Sequence, residues 1–452
     1  MHTNRQVNAP VRNAGPARSA KPAALRARTL SGVLAALAIA GLAVGCGTAS
    51  SGGTAAWTAP AGSTGSAGLR AAGSASAAPS AVTSASAAGC AGGGATGASA
   101  PALQAIQFVG QDHGWAAGAG RIVATSDGGR TWSRQYSGPA VLDQVDFTDT
   151  AHGWAVGPGT VLRTTNGGTT WTALREPRLS GHCLTVSSVH FVSAGLGYAI
   201  AGATPAGGAA VGGSGTPEAG GQVVRTTDGG VTWSPVSGAP AGAQAVCFGT
   251  ARDGYAGADG RIWRTTDGGA TWTLSFTEPP ASAGQGSASQ SAGDAPELGC
   301  AGSGAAWALF LGTGAAMMHA PYLAYATQDG SSWHGVLEEP MTESAIRPGL
   351  HLPAGPGTEP GPFSVISPDA AAFTGYTPPA NGWGAAPLDL ATDGGATLTS
   401  AGNIAAINEP LGTAFVTPAR GWVVGENLKT QTFAIEATAN AGHTWTTEYT
   451  TG

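Results

Sequence analysis

An eight-residue phrase, Thr-Thr-Asp-Gly-Gly-x-Thr-Trp, recurs along this chain and constrains the fold more than any other feature. Two copies are complete, at residues 226–233 and 265–272, and five more are altered at one or more positions. The third position of each box holds a short acid or amide: Asp127, Asn166, Asp228, Asp267, Asp329, Asp393 and Asn440. A fixed repeat has to be interpreted first, because each repeat forms one structural unit.

The residues of the box predict the corner of a β-hairpin. A pair of β-branched threonines suits the end of a strand. Asp or Asn followed by two glycines favours a turn, because glycine adopts positive φ freely and a short polar side chain accepts local backbone N–H groups. Thr-Trp then begins the partner strand, with the indole between neighbouring units. All seven boxes are therefore interpreted as structural turns that carry no chemistry.

A second spacing gives the same number of units. In each unit, the residue that ends an apolar strand is followed seven positions later by an aromatic residue. The pairs are Phe108/Trp115, Phe147/Trp154, Phe191/Tyr198, Phe248/Tyr255, Cys300/Trp307, Tyr376/Trp383 and Phe415/Trp422. Seven four-stranded units predict an all-β fold, a seven-bladed β-propeller of antiparallel blades. The expected blades are 101–137, 138–175, 183–237, 241–277, 295–337, 368–401 and 409–450, without strand exchange to close the ring.

The boxes resemble the Asp-box, or bacterial neuraminidase repeat, of sialidases and sortilin-type receptors. They are most similar to the photosystem II assembly and stability factor family, in which Gly-Trp-Ala-x-Gly precedes Arg-Thr-Thr-Asp-Gly-Gly-x-Thr-Trp. Residues 153–157 and 163–171 follow this pattern. The resemblance covers roughly residues 101–452, is strongest over 101–275, and implies a β-propeller that acts as a scaffold for a protein partner. Photosystem II itself need not be that partner, because family resemblance transfers a fold better than a ligand.

The N-terminal residues 1–45 read as a bacterial lipoprotein signal peptide. Six basic residues precede an apolar run at 30–45, which is too short to span a bilayer as a helix. The run ends Leu-Ala-Val-Gly-Cys46, with alanine where leucine is usual three residues before the cysteine. We expect cleavage before Cys46, its lipidation, and a location on the outer face of the cell membrane. Ordinary cleavage and an uncleaved anchor are the alternatives.

Residues 46–100 form the predicted tether. They are rich in Ala, Gly and Ser, with too few large apolar side chains to offset the entropy of ordering. A flexible coil of this length spans about 40 Å and would hold a propeller of residues 101–452 off the membrane. Loss of residues 1–45 leaves 14 basic and 26 acidic residues, a formal net charge of −12. This charge disfavours nucleic acid, so the expected partner of the monomer is an envelope or membrane protein, or a glycan.

Four cysteines follow Cys46, and an even number in an exported chain favours two disulfides. Cys247 and Cys300 fall in the first strands of neighbouring predicted blades, so this pair is favoured. Cys90 would then pair with Cys183, although free thiols remain an alternative. No spacing of cysteine or histidine indicates a metal site, and no cofactor is expected.

The long insertions all fall at one end of the predicted blades, here called the insertion face. Because binding loops are commonly placed on one end of a rigid scaffold, this face is the first candidate for a binding site. The candidate residues lie in the segment 338–368 and in a second polar cluster at 175–182. They are Glu338, Glu339, Glu343, Arg347, His351, Arg175, Arg178 and His182.

The opposite end, called the box face, offers an alternative. Arg163, Arg225 and Arg264 each stand three residues before a box acid and form a basic stripe suited to an acidic partner. Pairing with nearby carboxylates is the simpler interpretation of this stripe. A sialidase-like glycoside hydrolase or a carbohydrate-binding propeller is the alternative function, with Glu338 and either Asp294 or Glu176 as its carboxylates. The chain lacks the early Phe/Tyr-Arg-Ile-Pro segment of sialidases, so catalysis is not expected.

Lipidation gives the first prediction. Mass spectrometry of the membrane fraction should find a diacylglyceryl group on an N-terminal Cys46, because the apolar run ends in a lipoprotein cleavage sequence. A Cys46→Ala variant should leave the chain uncleaved. A soluble mature chain that begins at another residue would contradict the prediction.

Overall fold

The computed structural model describes residues 100–174, 178–179, 182–183, 185–202, 221–279, 295–311, 320–339, 351–377 and 384–451. The predicted signal peptide and residues 46–99, with Cys46 and Cys90, lie outside these ranges. The described elements are strands, apart from one turn of 3-10 helix at Asp393–Gly395. In the described residues no helix is long and apolar enough to cross a membrane.

Seven antiparallel sheets, one for each blade, follow one another along the chain, which confirms the predicted seven-bladed propeller. Blade 1 contains β1 (Ala105–Val109), β2 (His113–Thr125) and β3 (Ser133–Val141). Blade 2 contains β4 (Gln144–Phe147), β5 (Gly153–Gly157), β6 (Thr160–Thr164) and β7 (Thr172–Leu174). A small hairpin follows, with β8 (Arg178–Leu179) and β9 (His182–Cys183). Blade 3 contains β10 (Thr185–Phe191), β11 (Gly197–Gly202), β12 (Gln222–Thr226) and β13 (Ser234–Pro235).

The remaining four blades have the same order of strands. Blade 4 contains β14 (Ala245–Phe248), β15 (Gly254–Ala258), β16 (Arg261–Thr265) and β17 (Thr273–Thr277). Blade 5 contains β18 (Ala295–Ala301), β19 (Ala305–Leu311), β20 (Tyr322–Thr327) and β21 (His334–Glu339). Blade 6 contains β22 (Glu359–Ser367), β23 (Ala370–Tyr376), β24 (Ala386–Thr392) and β25 (Thr397–Ile404). Blade 7 contains β26 (Glu409–Phe415), β27 (Gly421–Asn427), β28 (Thr432–Thr438) and β29 (Thr446–Thr451).

Blade 1 has three strands where the other blades have four. The first half of β2 pairs with β1 and the second half pairs with β3, with a turn at Gly120, where φ is 70°. The two halves of β2 therefore occupy the positions of the second and third strands of a four-stranded blade. Each sheet uses only strands that are consecutive in the sequence, so among the described residues no strand is exchanged between blade 7 and blade 1.

Flat aromatic stacks join neighbouring blades. The aromatic residue of a second strand lies against the phenylalanine that ends the first strand of the next blade, with ring centroids 3.4–3.6 Å apart and planes within 10°. These pairs are Trp115–Phe147, Trp154–Phe191, Tyr198–Phe248 and Trp422–Phe108. The last pair joins blade 7 to blade 1, so the ring closes with the same contact that builds it.

A glycine opposite each phenylalanine makes room for the ring. Phe147 pairs across the sheet with Gly153, and a Cβ at Gly153 would lie 2.3 Å from the phenyl ring. The same holds at the four other blades whose first strand ends in phenylalanine, at Gly114, Gly197, Gly254 and Gly421. Blades 5 and 6 have Cys300 and Val365 in the phenylalanine position, and alanines face them, Ala306 and Ala371. The glycine and the phenylalanine therefore occur together.

Blade 6 corrects the sequence analysis. The expected blade began at residue 368, with Tyr376 and Trp383 as its seven-residue pair, but this assignment is wrong. Tyr376 ends the second strand, β23, and Trp383 lies outside the described residues. The register places Val365 and Ala372 in the two positions, which are also seven apart but carry no aromatic ring. Residues 359–367, which the sequence analysis placed in a loop, form the first strand.

A second set of contacts links the innermost strands. In blades 1 to 3, the side chain just before the first-strand phenylalanine bonds to the backbone of the next blade's phenylalanine. Gln107 accepts from the N–H of Phe147 at 2.5 Å, Asp146 accepts from Phe191 at 2.5 Å, and His190 Nε2 contacts the carbonyl oxygen of Phe248 at 2.6 Å. The equivalent Ser364 accepts from Phe415 at 3.0 Å. These side chains satisfy backbone groups that face the centre of the ring and lack a partner strand.

Cys247 occupies this linking position in blade 4, and a disulfide joins it to Cys300 in blade 5. This is the pair that the sequence favoured, with a Cα–Cα distance of 5.6 Å. Cys90 lies outside the described residues, as does the side chain of Cys183, so their pairing stays a prediction.

The glycine opposite the phenylalanine can be tested. Gly153→Ala should lower the free energy of unfolding by about 1–3 kcal/mol, because the added methyl group overlaps the Phe147 ring in a packed interface. The matched change is Ala306→Gly in blade 5, where a cysteine faces the site; it should cost only about 0.5–1 kcal/mol, through glycine's greater freedom when unfolded. Chemical unfolding measures both. Equal losses would contradict the assigned role of the glycine.

Candidate functional site

The boxes form hairpin corners stabilised by their own side chains. In box 1, Thr125 Oγ1 donates to Asp127 Oδ1 at 2.8 Å and accepts from the N–H of Gly129 at 2.9 Å. Asp127 also accepts from the N–H of Thr131 at 2.9 Å and from its hydroxyl at 2.6 Å. Boxes 3 and 4 repeat these four bonds around Asp228 and Asp267.

Asparagine makes the same corner without a charge. In box 2, Asn166 Oδ1 accepts from the N–H of Thr170 at 2.9 Å, and Asn166 Nδ2 donates to the Thr170 hydroxyl at 2.9 Å. Asn440 and Thr444 do the same in box 7. The threonine hydroxyl therefore donates to an aspartate and accepts from an asparagine. Both residues fit, because threonine can do either.

The two altered boxes keep part of the pattern. In box 5, which is one residue shorter, Asp329 Oδ1 accepts from the N–H groups of Ser331 and Ser332 at 2.7 and 2.8 Å. In box 6, Ala391 replaces the first threonine, and the Asp393 carboxylate accepts from the hydroxyl of Thr397, at 3.1 Å. All seven predicted box residues therefore lie at hairpin corners.

Hydrogen bonds lower the pKa of the box acids Asp127, Asp228 and Asp267. Those from the side chain and then the backbone of Thr131 lower the pKa of Asp127 to about 2, and those from Thr271 lower the pKa of Asp267 to about 2. Burial raises the pKa of Asp228, but the bonds from Thr232 and Thr226 outweigh it, and this pKa also falls to about 2. These acids are charged and fully used in holding the turn, so they are not poised for proton transfer.

Two arginines of the predicted basic stripe hold the next box. Arg163 donates to the carbonyl oxygens of Asp228 at 3.2 Å and of Ala194 at 3.3 Å. Arg264 donates to the carbonyl oxygen of Asp329 at 2.7 Å and lies 3.5 Å from the Asp253 carboxylate. Both bonds cross from one blade to the next. The simpler interpretation from the sequence, pairing with a carboxylate, describes Arg264, whereas Arg163 bonds to carbonyl oxygens.

Arg225 differs from these two. Its guanidinium lies over the Tyr198 ring, 5.9 Å from the centroid, and its side chain is exposed. Within the described residues, no hydrogen bond joins Arg225 to the box of blade 4. That box receives the Tyr198 hydroxyl instead, which donates to the carbonyl oxygen of Gly268 at 3.0 Å.

Arg225 borders an open groove of about 510 Å³ between blades 3 and 4. Blade 3 contributes Thr232, Pro235 and Ser237 to its lining, and the box of blade 4 contributes residues 267–270. The outer strand of blade 3, β13, is only two residues long at this place. The groove therefore presents one exposed cation, the Asp267 carboxylate, hydroxyl groups and backbone at the surface.

Sequence reasoning did not identify Arg420 as a box contact. It lies in the turn before β27, donates to the carbonyl oxygen of Gly128 at 2.6 Å, and packs over Trp422, 4.5 Å from the ring centroid. Glu448 lies 3.9 Å from it and accepts from Trp422 Nε1 at 3.1 Å. These contacts join blade 7 to the first box. No repeat signal marks them, because Arg420 stands outside the box and its counterparts in other blades are varied.

The insertion-face candidates are not brought together as one described site. Glu338 is 4% exposed within β21, and its N–H donates to the carbonyl oxygen of Pro353 at 2.9 Å. This position contradicts its prediction as an exposed loop residue. Glu339 is half-buried at the end of β21, which raises its pKa, and His351 is exposed.

The other candidates on this face lie wholly or partly outside the described residues. Glu343, Arg347 and Arg175 are among them, as are the glycosidase candidates Asp294 and Glu176. Arg178 and His182 lie on the small hairpin, where β8 pairs with β9. In the described part of the chain, no group of His, Cys, Asp or Glu side chains could hold a metal ion.

Fold and boxes together define the class of this protein as an Asp-box β-propeller of seven blades. Residues 98–204 match the family model described as Photosynthesis system II assembly factor YCF48. The match covers blades 1 and 2 and the first two strands of blade 3. It confirms the resemblance that the boxes indicated. Comparison with curated proteins found no match.

Solved structures with a similar fold include propellers of different function. YCF48 bound to a D1 peptide is 17% identical, with a TM-score of 0.42, covering 72% of this chain and 88% of that one. YCF48 from Cyanidioschyzon merolae is 14% identical, with a TM-score of 0.43, covering 72% and 92%. The GH74 enzyme of Niastella koreensis is 13% identical, with a TM-score of 0.48, covering 76% and 54%, so this chain spans about half of that enzyme. Identities this low do not transfer a ligand or an activity.

The lowered pKa values predict sensitivity to acid. An acid whose pKa falls on folding stabilises the fold above its unfolded pKa and loses that contribution as the pH falls. For Asp127, Asp228 and Asp267 the loss should run from about pH 4 down to about pH 2. Changing all three to Asn should make the melting temperature less dependent on pH in this range. Because Asn166 and Asn440 already form such corners, the variant should fold; an unchanged pH dependence would contradict the assignment.

Proposed function

We propose that this chain is an exported, lipid-anchored propeller that binds a segment of another protein and performs no chemistry on it. Three observations support the proposal. The N-terminal residues 1–46 have the pattern of a lipoprotein signal. The family model that matches residues 98–204 describes an assembly factor. The fold is a rigid ring, in which stacks and hydrogen bonds fix one blade to the next.

The binding site in this proposal is the groove beside Arg225. The main observation that supports this choice of site is the exposure of that arginine. Arg163 and Arg264 have the same place in the repeat, and their guanidinium groups are used by the next box. Arg225 interacts with the Tyr198 hydroxyl, is exposed and borders the groove, where hydroxyl groups, the Asp267 carboxylate and the backbone of Gly268 and Gly269 also lie. A guanidinium binds a carboxylate through two parallel hydrogen bonds.

The shape of the groove favours an extended segment over a small molecule. It is open, and its lining is about as polar as it is apolar, whereas pockets for small ligands are enclosed and mainly apolar. We therefore infer a partner segment that carries an Asp, a Glu or a C-terminal carboxylate for Arg225, with neighbouring backbone groups that bond to the groove. This places the site on the box face, which the sequence analysis gave as the alternative.

The glycoside hydrolase alternative has less support from the described residues. Its carboxylate in blade 5, Glu338, is buried within β21. The box acids Asp127, Asp228 and Asp267 are charged and already hydrogen-bonded within their turns. The proposed activity is therefore binding, with the tether of residues 46–100 placing the ring within reach of envelope proteins.

The role of Arg225 gives a direct test. Arg225→Gln should reduce capture of the partner from envelope membranes by about tenfold or more, because a hydrogen bond to a charged group contributes about 1.5–3 kcal/mol. The melting temperature should be unchanged, because the side chain is exposed. Quantitative mass spectrometry of the captured proteins measures the first effect and thermal unfolding the second.

Arg264→Gln is the matched control. It removes the bond to the carbonyl oxygen of Asp329, so it should lower the melting temperature and leave capture unchanged at temperatures where the variant is folded. A second variant replaces only residues 341–350 with a Gly-Ser linker and so preserves β22. If this variant loses the partner while Arg225→Gln retains it, the site lies on the insertion face and the proposal is wrong.

A further inference from the structure

We propose that the disulfide between Cys247 and Cys300 is a redox-controlled cross-link between blade 4 and blade 5. Its reduction would open the inner edge of this one interface and leave the rest of the ring closed. The proposal is independent of the binding groove. It depends on the repeat positions of the two cysteines, on the contacts that remain between the blades, and on the exposure of the bridge.

The two cysteines replace both kinds of contact that fasten other blades. Cys300 stands where most blades have the stacked phenylalanine, so Tyr255 has no parallel ring against it and meets Trp333 edge-on, at 5.9 Å and 89°. Cys247 stands where Gln107, Asp146 and His190 reach the next blade. A single covalent bond therefore takes the place of the stack and of the inner link.

The surrounding residues suit a cysteine, and not a phenylalanine, at position 300. Ala306 faces Cys300 where a glycine would face phenylalanine. At Gly254, in the neighbouring blade, an added Cβ would lie 2.4 Å from the phenylalanine ring. Blade 5 therefore cannot accept a phenylalanine at position 300 without a second change, and the disulfide joins the inner edge of this interface in its place.

The contacts that would survive reduction lie mostly on the box face. Tyr255 donates to the carbonyl oxygen of Gly304 at 2.8 Å, Arg264 to that of Asp329 at 2.7 Å, and Ser275 to that of Gly330 at 2.9 Å. An apolar cluster that includes Ile262, Phe310 and Leu323 also remains. Loss of the bridge should therefore loosen β14 and β18 at the inner edge without separating the blades.

The two ends of the bridge differ in exposure, so a thiol would attack at Cys300. Cys247 is 2% exposed, whereas Cys300 is only partly buried. The thiolate of a dithiol attacks Sγ of Cys300, forms a mixed disulfide with it, and releases the Cys247 thiolate, which takes up a proton. The second thiol of the reductant then displaces Cys300. Two electrons and two protons pass to the protein, giving two cysteine thiols and the disulfide form of the reductant.

Hydrogen exchange followed by mass spectrometry tests the proposal on the full chain, with dithiothreitol as the dithiol. Peptide-resolved thiol labelling first establishes reduction of Cys247 and Cys300 in the folded protein. We expect amides of β14 and β18 to exchange about tenfold faster or more after reduction, with no change in β4 and β10, which the hydrogen bond between Asp146 and Phe191 joins. Unchanged exchange in β14 and β18, or a bridge that dithiothreitol leaves intact in the folded protein, would overturn the proposal.

Two variants separate the bridge from other effects of the reductant. Cys247→Ser with Cys300→Ser should show the fast exchange without reductant. Cys247→Ala with Cys300→Phe and Ala306→Gly rebuilds the stack on Tyr255, so its exchange should be slow and insensitive to dithiothreitol. If dithiothreitol still accelerates β14 and β18 in this triple variant, the effect does not come from the disulfide and the proposal fails.

Discussion

The fold depends on the close approach of a phenylalanine ring to a backbone that has no side chain. Four of the five such rings, all except Phe415, lie over a glycine of their own blade, against a Trp or Tyr of the preceding blade, and edge-on to the tryptophan of their own box, as Phe147 does with Trp171 at 5.9 Å and 85°. The flat, nearly eclipsed stacks are not the arrangement that ring quadrupoles prefer. Burial and dispersion must therefore hold them, with the edge-on tryptophan supplying the favourable electrostatic contact.

Hydrogen bonds give the apolar stacks their direction. In three of the four stacks the aromatic of one blade donates to a glycine carbonyl of the next box, as Trp154 Nε1 does to Gly229 at 2.9 Å and Tyr198 does to Gly268. A ring that slid along the interface would leave a buried donor and a buried acceptor unpaired, at a cost of about 1–3 kcal/mol. The apolar contact thus supplies most of the stability, and the polar contact fixes the relative position of the blades.

The sequence predicted the number of blades, the corner role of the boxes and the Cys247–Cys300 pair, because these depend on local turn chemistry and on a fixed spacing. It misplaced blade 6, because Val365 and Ala372 keep the spacing without the aromatic residues that make it visible. It also treated three arginines as equivalent. Whether an arginine reaches a carbonyl oxygen or faces a groove depends on the structure of the next blade. The residues around Arg225 in the sequence do not indicate that structure.

The three interfaces that lack a flat stack are consecutive, from blade 4 to blade 7, and each is joined differently. A disulfide joins blades 4 and 5, a tilted contact of Trp307 with Phe373 at 6.2 Å joins blades 5 and 6, and Ser364 bonds to Phe415 between blades 6 and 7. The regular arc from blade 7 through blade 4 is closed by repeated contacts that tolerate little change. Arg225 lies in this regular arc, where a rigid frame holds its groove in shape. The irregular arc, with its single covalent bond, is the part of the ring that can respond to its surroundings.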